Sequence, residues 1–192
     1  MDDFKPENVI ETKAKDKIID KDDSLYNSVT LKTNFVDLDL PSGNLWAKYN
    51  FGVNPDKLKE YNDWFGNYYS WGELTPKDDY RQNNYKFSRE SISAGRYYYY
   101  YTKYCNDKDD GLNGYTDNYT NLLPEDDVIH VNMGKKYYMP TNDDISELIE
   151  YTNQEYVKNY LGVSSLNGVI FSSKTDNTKN IFIPCAGIRH AK

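Results

Sequence analysis

FVDLDLPSGNLWA, residues 35–47, alternates apolar and acidic side chains over its first six positions and then meets Pro41-Ser42-Gly43. A period of two indicates a β-strand with one buried face, and a Pro-Ser-Gly cluster indicates a turn. Residues 45–49 return as a second short strand. The stretch therefore predicts an antiparallel hairpin that opens a globular domain.

A helix is predicted directly after Pro140. Thr141 is a preferred N-cap residue, and Asp144, three positions later, completes a capping pattern. Together they predict a helix over residues 142–152. Apolar spacing at i, i+3, i+4 and i+7 predicts one buried stripe on this helix, made of Ile145, Leu148, Ile149 and Thr152.

Two β-rich runs follow, at residues 169–173 and 180–183, and the polar turn between them predicts a second antiparallel hairpin. Earlier, residues 55–69 carry aromatics on one face of a helix or irregular turn. Residues 75–127 are turn-rich and polar. The order of hairpin, helices and strands indicates an α+β fold.

Length and charge bound the function classes. A chain of 192 residues suits one domain plus an arm. Its net charge of −7 disfavours nucleic acid as a partner, because phosphate backbones are bound by clustered Lys and Arg. No stretch approaches the ~20 apolar residues of a membrane span, and the first residues lack the apolar core of a signal peptide. The sequence thus predicts a protein made in a cytoplasm, with no membrane insertion.

Residues 1–34 form a distinct arm with fourteen charged residues and isolated apolar pairs. Such a segment holds too few apolar residues to fold alone. Two interpretations stay open: a disordered tail, or an extended anchor that orders on another chain. In the second case the anchoring residues are Val9, Ile10, Ile18 and Ile19. The globular domain then spans residues 35–192.

The run of five tyrosines at residues 97–101 is the candidate binding feature. As a strand it would expose Tyr97, Tyr99 and Tyr101 on one face and bury Tyr98 and Tyr100 on the other. An exposed tyrosine row suits sugar stacking or a protein interface. The competing interpretation is codon bias in an A/T-rich genome combined with ordinary packing.

Neither the acidic residues nor the cysteines indicate a metal site or a cofactor. The oxygen spacing of residues 107–113 misses the EF-hand pattern, so a solvated acidic loop is the favoured interpretation. Cys105 and Cys185 stand 80 residues apart, without zinc-ligand spacing. A disulfide between them stays open.

Several collinear blocks resemble the FISUMP-like major paralogous domain of Bacteroidetes surface proteins and of their crAss-like phages. The family opening VDLGLPSGTLWA is similar to residues 36–47. Its blocks AWGETTPK, TKYC, PEDDAAHVN, RMPT and IFLPAAGYR are similar to YSWGELTPK (69–77), TKYC (102–105), PEDDVIHVN (124–132), YMPT (138–141) and IFIPCAGIR (181–189). The resemblance covers residues 35–190.

This resemblance implies a fold akin to C-type-lectin-like and formylglycine-generating-enzyme domains, used as a scaffold for binding and without chemistry of its own. The expected function is a structural or adhesion component of a phage virion, such as a head fibre, tail fibre or capsid decoration protein. Expected partners are other virion proteins, further copies of the chain (a trimer by analogy with fibres) and a surface glycan or receptor. The alternatives are a bacterial cell-surface glycan- or protein-binding module and, third, a formylglycine-generating-type enzyme.

The resemblance also carries expectations for single residues. Trp46, Trp64 and Trp71 are expected in the core, and Trp46, Trp71, Met139 and Ile145 are expected to share one core with Phe182. The acidic block at 125–127 and His130 are expected to make structural turn contacts rather than acid–base chemistry, and Cys185 is expected to be a buried thiol. The family pattern continues beyond the last block, and two interpretations stay open: the 192 residues belong to a longer protein, or a strand from another subunit completes the sheet by β-augmentation. In either case the edge of the strand at 35–40, or of the hairpin at 169–183, is expected to be capped by something outside single-domain pairing or to be poorly ordered.

Overall fold

The computed structural model describes residues 34–189. Its strands are β1 (Phe35–Asp37), β2 (Leu45–Ala47), β3 (Ser88–Ser93), β4 (Arg96–Tyr101), β5 (Thr152–Val157), β6 (Gly168–Ser173) and β7 (Asn180–Pro184). Its α-helices are α1 (Val128–Met133) and α2 (Asn142–Tyr151), and short 3₁₀ turns connect the other elements. Within residues 34–189 the strands form three antiparallel sheets, ordered β1-β2, β3-β4 and β5-β6-β7. The predicted α+β class is confirmed.

The opening hairpin forms as predicted, with Val36 opposite Trp46. Period-two alternation places Leu38 and Leu40 inside, at 0% and 5% exposure, while Asp37 and Asp39 face solvent. The β1 strand itself is shorter than the alternating stretch, because the backbone of Asp39 adopts a left-handed φ of 57°.

Helix α2 starts where the capping pattern predicts. The Thr141 hydroxyl accepts the backbone N–H of Asp144, and the Asp144 carboxylate accepts the backbone N–H of Thr141. The predicted stripe is only half correct, however. Leu148 and Thr152 are buried, at 1% and 3% exposure, whereas Ile145 and Ile149 are 39% and 52% exposed. The helix meets the sheet along a narrow line, so the flanks of the stripe remain in solvent.

The predicted hairpin of β6 and β7 is confirmed, with Phe171 opposite Ile181. A third strand, β5, pairs along the other side of β6. Its sequence TNQEYV is mostly polar and exposed, so the sequence contains no apolar alternation that would predict this strand. It forms because the chain leaves α2 directly beside the free edge of β6, where ladder hydrogen bonds need little burial.

Within residues 34–189 the buried apolar side chains form two clusters, rather than the single core that was predicted. Leu38, Leu40, Leu148 and Ile181 make one, against which Trp46 packs. Phe182 belongs to the other, together with Trp64 and Leu166. Since neighbouring residues of a strand face opposite sides, Ile181 and Phe182 must serve different clusters.

Two expectations about individual side chains are wrong. Trp71 is 44% exposed and packs edge-on against Tyr104, at 6.3 Å between ring centroids, instead of entering a core. Cys185 is exposed, because the preceding residue of the strand, Pro184, takes the buried face. Cys105 is buried, and both thiols are free.

The region at 55–69 forms two 3₁₀ turns, Pro55–Lys57 and Tyr61–Trp64. Trp64 ends the second turn and is buried at 8% exposure, as expected. Among the helices of the described residues, none is long and apolar enough to span a bilayer.

Candidate functional site: a projecting tyrosine hairpin

The tyrosine run forms strand β4, which pairs with β3 over six residue pairs, from Ser88 opposite Tyr101 to Ser93 opposite Arg96. Ala94 and Gly95 close the hairpin with φ angles of 49° and 72°. Positive φ at both central positions is the geometry of a type I′ turn, whose twist matches that of paired strands. This turn lets the two strands run as one continuous ribbon.

Exposure rises along β4 from the base of the ribbon to its tip. Tyr99 and Tyr101 are half-buried, Tyr98 is 41% exposed and Tyr97 is 64% exposed. Ile92 lies directly opposite Tyr97 and is 63% exposed. The tip therefore presents an aromatic and an aliphatic side chain together in solvent, and we call Ile92, Tyr97 and Tyr98 the hairpin tip.

The predicted alternation of exposure is wrong. Of the row expected in solvent only Tyr97 is exposed, whereas Tyr99 and Tyr101 are half-buried. The predicted burial of Tyr98 and Tyr100 does not hold either. In residues 34–189 no third strand extends this sheet. Exposure follows the distance from the tip instead of the face of the ribbon: Tyr98 is exposed near the tip, whereas Tyr99, Tyr100 and Tyr101 are each half-buried toward the base. Among the described residues, Tyr97 and Tyr98, whose side chains point to opposite faces, are the exposed tyrosines of the ribbon.

The tyrosine rings are held by specific contacts before any partner arrives. The rings of Tyr98 and Tyr100 stack at 6.5 Å between centroids. The Tyr99 hydroxyl donates to Oε2 of the cross-strand Glu90 at 3.1 Å, and desolvation together with this hydrogen bond raises the pKa of Tyr99. Ordered rings lose little entropy when they bind, which favours a contact role.

A polar network anchors the base of the hairpin. The carboxylate of Asp126, 3% exposed, accepts Lys86 Nζ at 3.0 Å, the Tyr104 hydroxyl at 2.8 Å and Lys103 Nζ. Burial alone would raise the pKa of Asp126, but the donors from Lys103, Lys86 and Tyr104 outweigh it and lower that pKa. The ammonium groups of Lys86 and Lys103 also lie over the ring of Phe87, at 4.5 and 5.4 Å from its centroid.

Three further acids hold loops around this base. Glu73 accepts the backbone N–H of Lys86 at 2.7 Å and also pairs with Lys77. The carboxylate of Asp117 accepts three backbone N–H groups, those of Tyr104, Cys105 and Tyr119. The carboxylate of Asp127 accepts the first N–H groups of α1 and the backbone N–H of Met139 at 2.7 Å.

These contacts bear out the expectation that the acidic block makes structural contacts. Asp126 pairs with two lysines. Asp127 caps α1, because its carboxylate accepts the backbone N–H of His130 at 3.2 Å. Nearby, Asp107 accepts the backbone N–H of Asp109 as a loop contact. No group of three or more His, Cys, Asp or Glu within residues 34–189 could hold a metal ion.

One open cleft of about 380 Å³ lies beside this base. Glu73, Lys77 and Lys86 line it, and their charged groups already pair within the chain. The cleft therefore offers few free polar groups to a ligand.

Sequence reasoning found the tyrosines but missed Ile92. The signal was weak, because a glycine such as Gly95 marks a turn but Ala-Gly is not among the dipeptides typical of a two-residue hairpin. The two-residue turn that forms is what sets Ile92 opposite Tyr97. The arm residues Val9, Ile10, Ile18 and Ile19 lie outside the described residues, so their anchoring role stays a prediction. Scans of protein-family models, curated proteins and solved structures return no match to this chain.

Proposed function

We propose that this chain is a binding module that presents the tyrosine hairpin on a C-type-lectin-like scaffold, and that it serves as a structural or adhesion component of a phage virion, such as a head fibre, tail fibre or decoration protein. The observation that carries the binding role is the hairpin tip. Isolated two-stranded ribbons are marginal in water, yet this one keeps Tyr97 and Ile92 more than 60% exposed. Such a surface is suited to being covered by a partner.

The anchored base supports the same proposal. Blocks of the sequence that resemble one family, around Glu73, Lys103 and Asp126, meet in one hydrogen-bonded network under the hairpin. Their carboxylates are engaged by donors of their own chain, which suits a scaffold rather than reacting groups. A stiff base that carries an exposed aromatic tip is the arrangement that favours recognition, because little order must be gained on binding.

Tyrosine also indicates what the tip contacts. Its ring offers an apolar face and its hydroxyl a polar end, which suits both sugar rings and protein surfaces. The proposed partners are accordingly a surface glycan or receptor, and other virion proteins. The virion assignment is supported by the family resemblance of residues 35–190.

The binding role is tested with two variants of equal chemistry. Tyr97→Ser removes the tip aromatic, while Tyr156→Ser removes an equally exposed tyrosine, at 57%, from β5 on a different sheet. Binding is measured on a glycan array and to intact Bacteroidetes cells. We expect Tyr97→Ser to weaken binding about tenfold or more, as hot-spot tyrosines do, and Tyr156→Ser to leave it unchanged. Equal effects of the two variants would contradict the proposal.

The virion role needs its own measurement. Antibodies against this chain should label purified phage particles in electron micrographs, and its peptides should be found in digests of those particles. Labelling of the bacterial envelope instead, with unlabelled particles, would favour the bacterial surface module.

A further inference from the structure

Two strand edges lie open beside one groove. β1 pairs only with β2, and β7 only with β6, within residues 34–189. Between them lies a groove of about 480 Å³, which we call the edge groove. Residues 35–37 of β1 line one side, and residues 178–182, which include the start of β7, line the other.

Among the described residues, the strand-edge backbone groups beside this groove have no ladder partner. Lys48 N–H donates to the carbonyl of Asn34 at 2.8 Å, so the alternation of antiparallel ladders turns the N–H and C=O of Phe35 and Asp37 away from β2. On the other edge, Ser173 N–H donates to the Lys179 carbonyl just before β7. The same alternation turns the N–H and C=O groups of Asn180 and Phe182 away from β6. These residues of both edges all line the groove.

One end of the edge groove is held in place. The carboxylate of Asp39, just beyond β1, accepts the hydroxyls of Ser173 and Thr175 at 2.6 and 2.7 Å, and it pairs with Lys179. This clamp ties the chain after β1 to the turn before β7. Contacts among the described residues therefore hold the two edges in relation to each other.

The floor of the edge groove is aromatic. Tyr49, Trp64 and Tyr160 line it, and Tyr160 stacks on Phe182 at 3.9 Å between ring centroids. The indole N–H of Trp64 is buried and has no acceptor among the described residues. A buried donor without an acceptor costs about 1–3 kcal/mol. A groove with open ladder groups on its sides and apolar rings below suits an extended peptide strand better than a compact polar ligand.

The chain itself contains a segment of this chemistry. Residues 24–33, SLYNSVTLKT, hold a single charged residue, Lys32, and no Gly or Pro. Val29 and Leu31 alternate with Thr30 and Lys32, which is the pattern of a strand with one apolar face. In contrast, residues 1–23 carry the other thirteen charges of the arm.

Connectivity favours donation between copies. Residue 33 leads almost directly into β1, so the same segment could lie beside β1 of its own chain only by reversing within residues 32–34. A two-residue hairpin turn requires positive φ at both central positions in type I′ and at the first in type II′, and the β-branched Thr33 disfavours positive φ. A second copy can supply the segment without any reversal.

We propose that the edge groove is a strand acceptor, and that residues 24–33 of a second copy occupy it by adding a strand to the open edges of β1 and β7. Donation is reciprocal in a closed dimer and sequential in a closed ring. It covers edges that would otherwise promote uncontrolled aggregation. This inference goes beyond the binding role of the hairpin and does not depend on it.

The test uses the full chain with Cys185→Ser, which removes the exposed native thiol. Val29→Cys in the arm is combined with Lys48→Cys, an exposed residue that lines the edge groove. Val9→Cys with Lys48→Cys is the matched control. Isotope-labelled and unlabelled chains are mixed and oxidised, and the cross-linked peptides are identified by mass spectrometry.

We expect mixed-isotope cross-links from position 29 and far fewer from position 9. We also expect the unmodified chain to sediment as a closed oligomer at micromolar concentration. Val29→Pro should raise its dissociation constant about tenfold or more, because proline removes a ladder donor, while Val9→Pro should not. Cross-links confined to single copies, equal yields from positions 9 and 29, a monomeric chain, or an oligomer insensitive to Val29→Pro would each overturn the proposal. Variants are compared only where circular dichroism shows an unchanged fold.

Discussion

Replacing Asp126 by Asn is expected to cause a large loss of stability, because this carboxylate joins separate parts of the chain. It holds the ammonium groups of Lys86 and Lys103 and the hydroxyl of Tyr104, and it is itself 3% exposed. Asn has nearly the same shape but no charge. Its amide would leave both lysines without a counter-ion at the base of the hairpin.

The magnitude follows from exposure. Removing one partner of a fully buried ion pair costs about 3–5 kcal/mol, but here the side chain of Lys86 is 51% exposed and that of Lys103 is 23% exposed. Both ammonium groups can move partly into water, and the Tyr104 bond weakens from charged to neutral. We expect a loss of about 2–4 kcal/mol in the free energy of unfolding, or about 4–16 °C in Tm.

Urea denaturation followed by tryptophan fluorescence measures this loss, with Glu125→Gln as control. Glu125 is the exposed neighbour, and its substitution should stay within about 0.5 kcal/mol of the wild type. The pKa of Asp126 is lowered from its ordinary value of 3.8, so its contribution is complete above that pH and is lost as the pH falls below it. The stability difference between wild type and Asp126→Asn should therefore shrink in acid. Equal effects of the two substitutions at neutral pH would refute the reasoning.

Three further outcomes are expected. Thr141→Ala removes the N-cap of α2 and should cost about 1 kcal/mol in urea denaturation; an unchanged midpoint would contradict the capping geometry. Leu148→Ala should cost about 2–5 kcal/mol, while Ile149→Ala, one residue along the same helix but 52% exposed, should cost far less, and similar losses would contradict the narrow helix contact. Hydrogen bonds from Lys179 and from two hydroxyls hold the pKa of Asp39 far below 3.8. The wild type should therefore lose stability as the pH falls below that value. In acid titrations followed by circular dichroism, the stability of Asp39→Asn should depend less on pH than that of the wild type.

The hairpin tip shows how much of the candidate site follows from residues that are neighbours in the sequence. Five consecutive tyrosines predict a strand, and it forms as β4. The tight turn at Ala94 and Gly95 that pairs it with β3 is a finding of the structure. Local sequence could not show that the sheet stops at two strands within residues 34–189. The exposure of Tyr98 depends instead on how little of the described chain packs on its face of the ribbon. Packing between distant segments cannot be predicted from five consecutive tyrosines.

The sequence by itself determined the elements whose signals are short in range. The alternation at 35–40 and the capping box at Thr141 and Asp144 each act within a few residues, through the period of a strand and the unsatisfied N–H groups of a helix start. The α+β class follows from the order of these elements.

Only the tertiary structure decided the rest. Asp126 meets Lys86 across 40 positions, and Asp39 meets Lys179 across 140, separations at which a sequence shows no preferred partner. The division of Ile181 and Phe182 between two clusters, and the polar strand β5 paired along β6, are likewise set by which surfaces lie nearby. The physical reason is that burial and pairing are properties of neighbours in space, and chain folding brings those neighbours together from distant positions.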